Sequence, residues 1–203
     1  MPRRSRLRKL ATVAVGLAVG AAAALVGTGT ASAAPITLTY DVTGVTHIKK
    51  TDSDITLGPG ALKSTLNAPD PTLTSELTLP TAHSKFNALG FLPTSADIDF
   101  LPDGPAIGTV SATQVTATAQ VTIRVHNVWS GGLPVIVGSN CKTEVPATIS
   151  LVSQPGFNVL IGGDLTGTYT MPELDNCLLV TGLLNALIAG PDNTINLHLA
   201  IHK

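Results

Sequence analysis

Between Val115 and Val128 the chain alternates with a period of two. Val115, Ala117, Ala119, Val121, Ile123 and Val125 fall on one side; Thr116, Thr118, Gln120, Thr122, Arg124 and His126 fall on the other. Successive side chains of a β-strand point to opposite faces, so this run is a long strand with one buried face and one wet face. Its Val, Ile and Thr residues are β-branched and suit the pleat. The same logic recurs near both ends. Ile36, Leu38, Tyr40 and Val42 alternate with Thr37, Thr39, Asp41 and Thr43, and Ile195, Leu197, Leu199 and Ile201 alternate with Asn196, His198 and His202.

Shorter strand candidates lie at 54–57, 61–67, 73–79, 96–101, 107–111, 133–138, 148–152 and 157–171. Turn signals separate them: Gly58-Pro59-Gly60, Asp70-Pro71, Asp103-Gly104, Gly131-Gly132, Gln154-Pro155-Gly156 and Gly162-Gly163. Gly44 marks a bulge, because Val45 shifts the alternation. Many short strands with frequent turns predict an all-β, antiparallel sandwich, or flattened barrel, of about ten strands in a single domain over 34–203. One stretch differs. In Cys177–Ala189, Leu179, Leu183, Leu184, Leu187 and Ile188 recur at helical spacing, and Gly190-Pro191 stops the run. Only Thr181 and Asn185 make a polar stripe, which predicts one short, mostly buried helix lying over an end of the sheets or walling an apolar ligand pocket. A faint echo, Leu77–Pro80 then Asn87–Leu89 against Tyr169–Pro172 then Asn185–Leu187, raises the expectation of two related halves.

The N-terminus reads as an address. Arg3, Arg4, Arg6, Arg8 and Lys9 precede an apolar run from Leu10 to Val26 and the small-residue site Ala31-Ser32-Ala33, the three parts of a secretory signal peptide over 1–33. The first cysteine is Cys141, far from any lipoprotein position, and Leu92-Pro93-Thr94-Ser95-Ala96 is internal and off the sortase pattern. The expected product is secreted, extracellular and without stable membrane insertion. Five of the 12 basic residues would leave with the leader, so seven remain against 13 acidic ones, a net charge of −6. That balance disfavours nucleic acid and anionic lipid headgroups, both of which need a basic face. In an exported chain the two cysteines, Cys141 and Cys177, are expected to form a disulfide.

Motifs for chemistry are sparse. His198 and His202 have metal-ligand spacing for a helix, but in a strand they stand about 13 Å apart and read as solvated edge residues. Asp97 with Asp99, and Asp52 with Asp54, share strand faces about 7 Å apart, the spacing of a solvated acidic surface or of a calcium or acid–base pair. Asp52-Ser53-Asp54 lacks the glycine of a calcium loop. Ser139-Asn140-Cys141-Lys142 matches the Ser-x-x-Lys motif of penicillin-recognising enzymes, but it lies between strands around a disulfide cysteine. No nucleophile elbow, phosphate loop or dinucleotide loop is present in the sequence, and no metal or cofactor is expected. Trp129 beside Ser130-Gly131-Gly132 is either a plug at a sheet end or a stacking platform for a sugar ring or peptide. His47, His83 and His126 have no partner set in sequence, which leaves a dispersed Ser-His-Asp triad open.

The segment Asn140-Cys141-Lys142-Thr143 with Pro146, within 138–151, and the Thr-, Gly- and Pro-rich strands resemble small uncharacterised secreted β-proteins of actinobacteria. The resemblance implies secretion and an all-β fold, and brings no catalytic residue. Function is accordingly expected to be non-enzymatic surface binding, outside the cell or at its envelope, to a cell-wall or protein partner. A carrier for an apolar small molecule or lipid, using Trp129, Leu179, Leu183, Leu184, Leu187 and Ile188, is the alternative. A hydrolase with an unrecognised triad is a third reading.

Overall fold

The computed structural model describes residues 34–67 and 70–203; the leader expected at 1–33 lies outside the described residues. The strands are β1 (Ile36–Ile48), β2 (Ser53–Asn67), β3 (Thr72–Thr78), β4 (Ala82–Ala88), β5 (Leu92–Pro102), β6 (Ala106–Val110) and β7 (Val115–Ser130). They continue with β8 (Leu133–Val135), β9 (Lys142–Thr143), β10 (Ala147–Ser153), β11 (Gly162–Met171) and β12 (Leu174–Asp175). A 3₁₀ turn (Leu178–Val180), helix α1 (Thr181–Ile188) and β13 (Gly190–Ile201) complete the described chain.

Every strand pairing is antiparallel. The order β10-β11-β13-β1-β2-β3-β6-β7 returns on itself, because β10 also pairs with β7. The described residues therefore form a closed eight-stranded barrel, the barrel alternative of the expectation rather than the sandwich, with thirteen strands in all rather than about ten. Period-two patterning fixes which face of a strand is buried, but not which strands are neighbours.

The long strand β7 joins two parts of the sheet. Its first half, from Val115 to Val121, closes the barrel between β6 and β10. Its second half leaves the barrel and pairs with β5, which in turn carries β4. The register does jump opposite Gly44, from Val42↔Gly60 to Gly44↔Leu57, but the extra residue is on β2: β1 keeps its phase, with Val45 outward and Thr46 buried, so the expected shift of alternation at Val45 does not occur. The turn expected at Gly58-Pro59-Gly60 is instead the bulged part of continuous β2, opposite that jump. The strand expected from Phe157 begins only at Gly162, since Asn158 closes a turn there by accepting from the Leu160 and Gly162 amides. Strand β4 is new. Of its inward residues only Phe86 is large and apolar; Ala82, Ser84 and Ala88 are small or polar, so the alternation is weak in hydropathy. The echoed segments do not correspond, because 87–89 leave a strand whereas 185–187 are helical.

The main core fills the barrel and its extension with residues such as Tyr40, Val42, Leu57, Ile123, Ile149 and Leu197. Its polar groups are paired: Thr46 Oγ1 with the Tyr169 hydroxyl at 2.9 Å, and Ser64 Oγ with Ser75 Oγ at 2.8 Å. A second core gathers Ala96, Val125, Val128, Val137, Leu174 and Leu184 around the Cys141–Cys177 disulfide.

Candidate binding groove on the outer face of the sheet extension

Strands β4, β5 and β7 place their outward residues in register. His83 stands opposite Asp97, Lys85 opposite Ser95 and Asn87 opposite Pro93. On the other side of β5, Asp97 faces His126, Asp99 faces Arg124 and Ser95 faces Trp129. One extra residue on β7 lies between these last pairs, at Asn127, which takes a left-handed φ of 48°. This bulge reverses the alternation. Extrapolated from Arg124 and His126, Val128 would face outward and Trp129 inward; the bulge buries Val128 and leaves the Trp129 indole 49% exposed. Trp129 is thus half exposed and does not plug a sheet end.

Beside it lies an open groove of about 420 Å³, lined by Lys85, Phe86, Asn87, Pro93, Thr94, Ser95, Trp129 and Gly132. Apart from Trp129, these residues were not legible as a site, because β4 itself was not. The period-two run His83, Lys85, Asn87 was the available signal.

The other half of the face is a polar cluster. Asp97 accepts from His83 Nδ1 at 2.5 Å and from Asn127 Nδ2 at 2.7 Å. The Asn127 hydrogen bond, with His83 and His126 nearby, holds the Asp97 carboxyl below its ordinary range despite some desolvation. Asp99 accepts from Thr81 Oγ1 at 2.6 Å and from Arg124. Burial alone would raise its pKa, but Thr81, Arg124 and His126 outweigh burial and lower it. The two carboxylates are therefore not a free acidic surface: each accepts hydrogen bonds from neighbouring side chains, and Asp99 is ion-paired with Arg124.

The same pairing recurs around the molecule. His47 lies against Asp54 at 2.8 Å and Asp52 at 3.5 Å, His198 against Asp164 at 2.6 Å, and His202 against Asp41 at 2.8 Å. His126 Nε2 is 3.2 Å from Asp99, outside hydrogen-bond alignment. All five histidines are thus next to an aspartate. His198 lies on β13, between β1 and β11, so it is on an inner strand of the barrel wall rather than at a sheet edge. Among the described residues no serine hydroxyl is hydrogen-bonded to an imidazole.

Helix α1 departs from expectation. Only Leu184 is buried; Leu187 and Ile188 are half-buried, while Leu179 and Leu183 are exposed. The predicted polar stripe faces the protein instead. Asn185 accepts from the Leu174 amide at 2.7 Å and donates to its carbonyl at 3.0 Å. Thr181 Oγ1 accepts from the Cys177 amide at 3.2 Å. Backbone groups freed next to the disulfide claim these side chains, and the leucines turn outward. Leu184 and Ile188 line a void of about 40 Å³, and a second void of about 70 Å³ lies in the barrel between Tyr40, Leu77, Leu151 and Leu197. A pocket for a small organic ligand occupies roughly 300 Å³ or more.

Fold and face together define a closed eight-stranded antiparallel barrel with a sheet extension that presents an aromatic groove. Compared with protein-family models, curated proteins and solved structures, the chain has no match.

Proposed function

We propose that the protein is a secreted, non-enzymatic binding protein of the cell envelope, and that the groove beside Trp129 takes a sugar ring of a wall polymer. The observation that carries this reading is the half-exposed indole held outward by the β7 bulge. An indole face stacks on the apolar face of a sugar ring, and Asn87, Ser95 and Lys85 supply hydrogen bonds at its rim. The sheet that carries the groove is fixed by two strand ladders and the Asp97–Asp99 network, so the platform is preorganised. The leader pattern and the resemblance to actinobacterial secreted β-proteins favour an envelope location.

Trp129 is the single tryptophan, so intrinsic fluorescence reports this groove alone. Soluble wall-derived oligosaccharides are expected to change the emission saturably, and Trp129→Ala is expected to abolish retention on insoluble wall material. Emission unchanged by any wall saccharide, with wild type and Trp129→Ala retained equally, would remove the reading. The apolar-carrier reading draws on the apolar barrel interior, but the voids hold no such ligand without expansion of the barrel. Mass spectrometry of the native protein tests it by an extra mass lost on organic extraction. The hydrolase reading draws on the His–Asp pairs and is tested by labelling with a serine-reactive probe.

A further inference from the structure

Three stretches of the chain, 86–96, 127–141 and 176–190, contain no Asp, Glu, Lys, Arg or His. All twenty charged residues of 34–203 lie outside them. The fold brings the three together. The second core takes Ala96 from the first stretch, Val128, Val137 and Cys141 from the second, and Cys177 and Leu184 from the third. Contacts on the surface join them as well. The Gly131 amide donates to the Pro93 carbonyl, and Gly138 lies against Asn176 and Leu178. The result is one pole whose own residues carry no charge; the runs 104–123 and 145–163 are uncharged as well.

The large outward side chains of this pole are apolar, beside the exposed polar residues Asn87, Asn127, Ser139, Asn140 and Asn176. Leu89, Phe91, Leu133, Ile136, Leu179 and Leu183 are all more than half exposed, with Phe91 at 75% and Leu179 at 102%. A value above full exposure means that nothing nearby covers Leu179: it projects from a convex surface. Two of the exposed leucines sit in left-handed backbone, Leu89 at φ 56° and Leu178 at φ 56°. Glycine or asparagine would occupy those positions without strain, yet leucine is held outward there.

We infer that this pole is a lipid-docking end, which seats its projecting side chains in the surface of a neutral, zwitterionic membrane. A second copy of the chain would need roughly 800 Å² of complementary surface per partner, and sedimentation equilibrium distinguishes that occupant. A lipid surface deforms around separate projecting groups. Charge selects among lipids. The pole has no base to attract anionic headgroups, and the body has seven bases against thirteen acids, so a neutral surface is favoured. Two cations border the pole, Lys50 with its ammonium on the α1 carbonyls of Asn185 and Ala186, and Lys85 at the groove. Docking is end-on and peripheral. Helix α1 has eight residues, too short to cross a bilayer, and outward barrel positions such as Thr39, Asp41, His198 and Asp164 do not form a hydrocarbon-facing belt. This inference goes beyond the saccharide reading and rests on different residues.

The test is flotation of protein beginning at Ala34 with phosphatidylcholine vesicles, at low and high salt. Wild type is expected to float with the vesicles at both salts, and no better with vesicles containing phosphatidylglycerol. The triple variant Phe91→Ser, Leu133→Ser, Leu179→Ser is expected to lose at least about tenfold in vesicle affinity. Its melting temperature and Trp129 emission without vesicles serve as the check on folding. A second triple variant in alanine covers the case in which the serine variant melts early. Wild type that stays with the soluble fraction, binding that high salt abolishes, or equal binding by folded variants each overturns the inference. So does a wild-type dimer in sedimentation equilibrium that the triple variant converts to monomer, since that makes a second copy the occupant. Saccharide titration followed at Trp129 needs no lipid, so failure of either reading is seen separately.

Discussion

Asp99 and Arg124 stand directly opposite one another on β5 and β7, and Nε and Nη2 of the guanidinium both donate to the one carboxylate oxygen Oδ2, at 2.9 and 2.6 Å. The other oxygen accepts from Thr81 Oγ1, so the mostly buried carboxylate is fully engaged. Asp99→Ala is expected to destabilise by about 2 kcal/mol, less than a fully buried pair would, because the arginine is 42% exposed. Asp99→Asn keeps the shape and should lose less. Urea unfolding of the two variants checks the order.

Asp97 and Asp99 both have lowered carboxyl pKa values. A carboxylate depressed in the folded state stabilises above its unfolded pKa, about 3.9, and that contribution is lost as pH falls through the folded value. Stability of the wild type should therefore drop as pH falls below about 4. In Asp97→Asn, Asp99→Asn the slope over that window should be shallower. Equal slopes in thermal melts across the window would contradict the assignment.

The Cys141–Cys177 bridge closes a loop with a sequence separation of 36 residues. On the loop-entropy account, replacing both cysteines by serine should cost about 4 kcal/mol. Both are completely buried in the second core, so serine also introduces unpaired hydroxyls there. Denaturant midpoints of the double variant and of reduced wild type give the comparison, and a loss well under 1 kcal/mol would show that the second core holds without the staple.

Two glycines should respond in opposite directions. A Cβ at Gly44 would lie 2.4 Å from the Asn196 carbonyl oxygen, a backbone atom of the neighbouring strand. Gly44→Ala is expected to cost about 2–4 kcal/mol because β1 and β13 would have to separate at the bulge. Gly182 is exposed within α1, and a Cβ there meets nothing within 4 Å. Gly182→Ala should gain about 0.5–1 kcal/mol from helix propensity. Melting temperatures of the two variants should move apart accordingly.

Much of the fold was legible because alternation writes burial directly into a strand. The buried faces of β1, β7 and β13 follow the pattern of Val42, Ile123 and Leu197. The irregularity near Gly44 was misplaced by the pattern: Val45 faces outward and Thr46 inward, so β1 keeps its phase, and the extra residue belongs to β2 at Gly58-Pro59. The disulfide followed from two cysteines in a chain with an export leader pattern. Strand β4 was hidden because Ser84 faces inward beside the small Ala82 and Ala88, which leaves little hydropathy contrast along the strand. The site was hidden with it, because a groove across β4 and β5 is a relation between strands.

The sequence alone determined the class of structure, the two faces of each long strand, the cysteine pair and the low charge. Each of these is local or compositional: a period, a count, a spacing. Tertiary structure decided the rest. Closure of the barrel depends on β10 reaching both β11 and β7, which no single strand's pattern contains. The outward turn of Trp129 depends on one extra residue of β7 relative to β5. The outward turn of Leu179 and Leu183 depends on Leu174 claiming Asn185 for its own amide and carbonyl. In each case a backbone group needed a partner from a distant part of the chain, and meeting that need set where the side chains went.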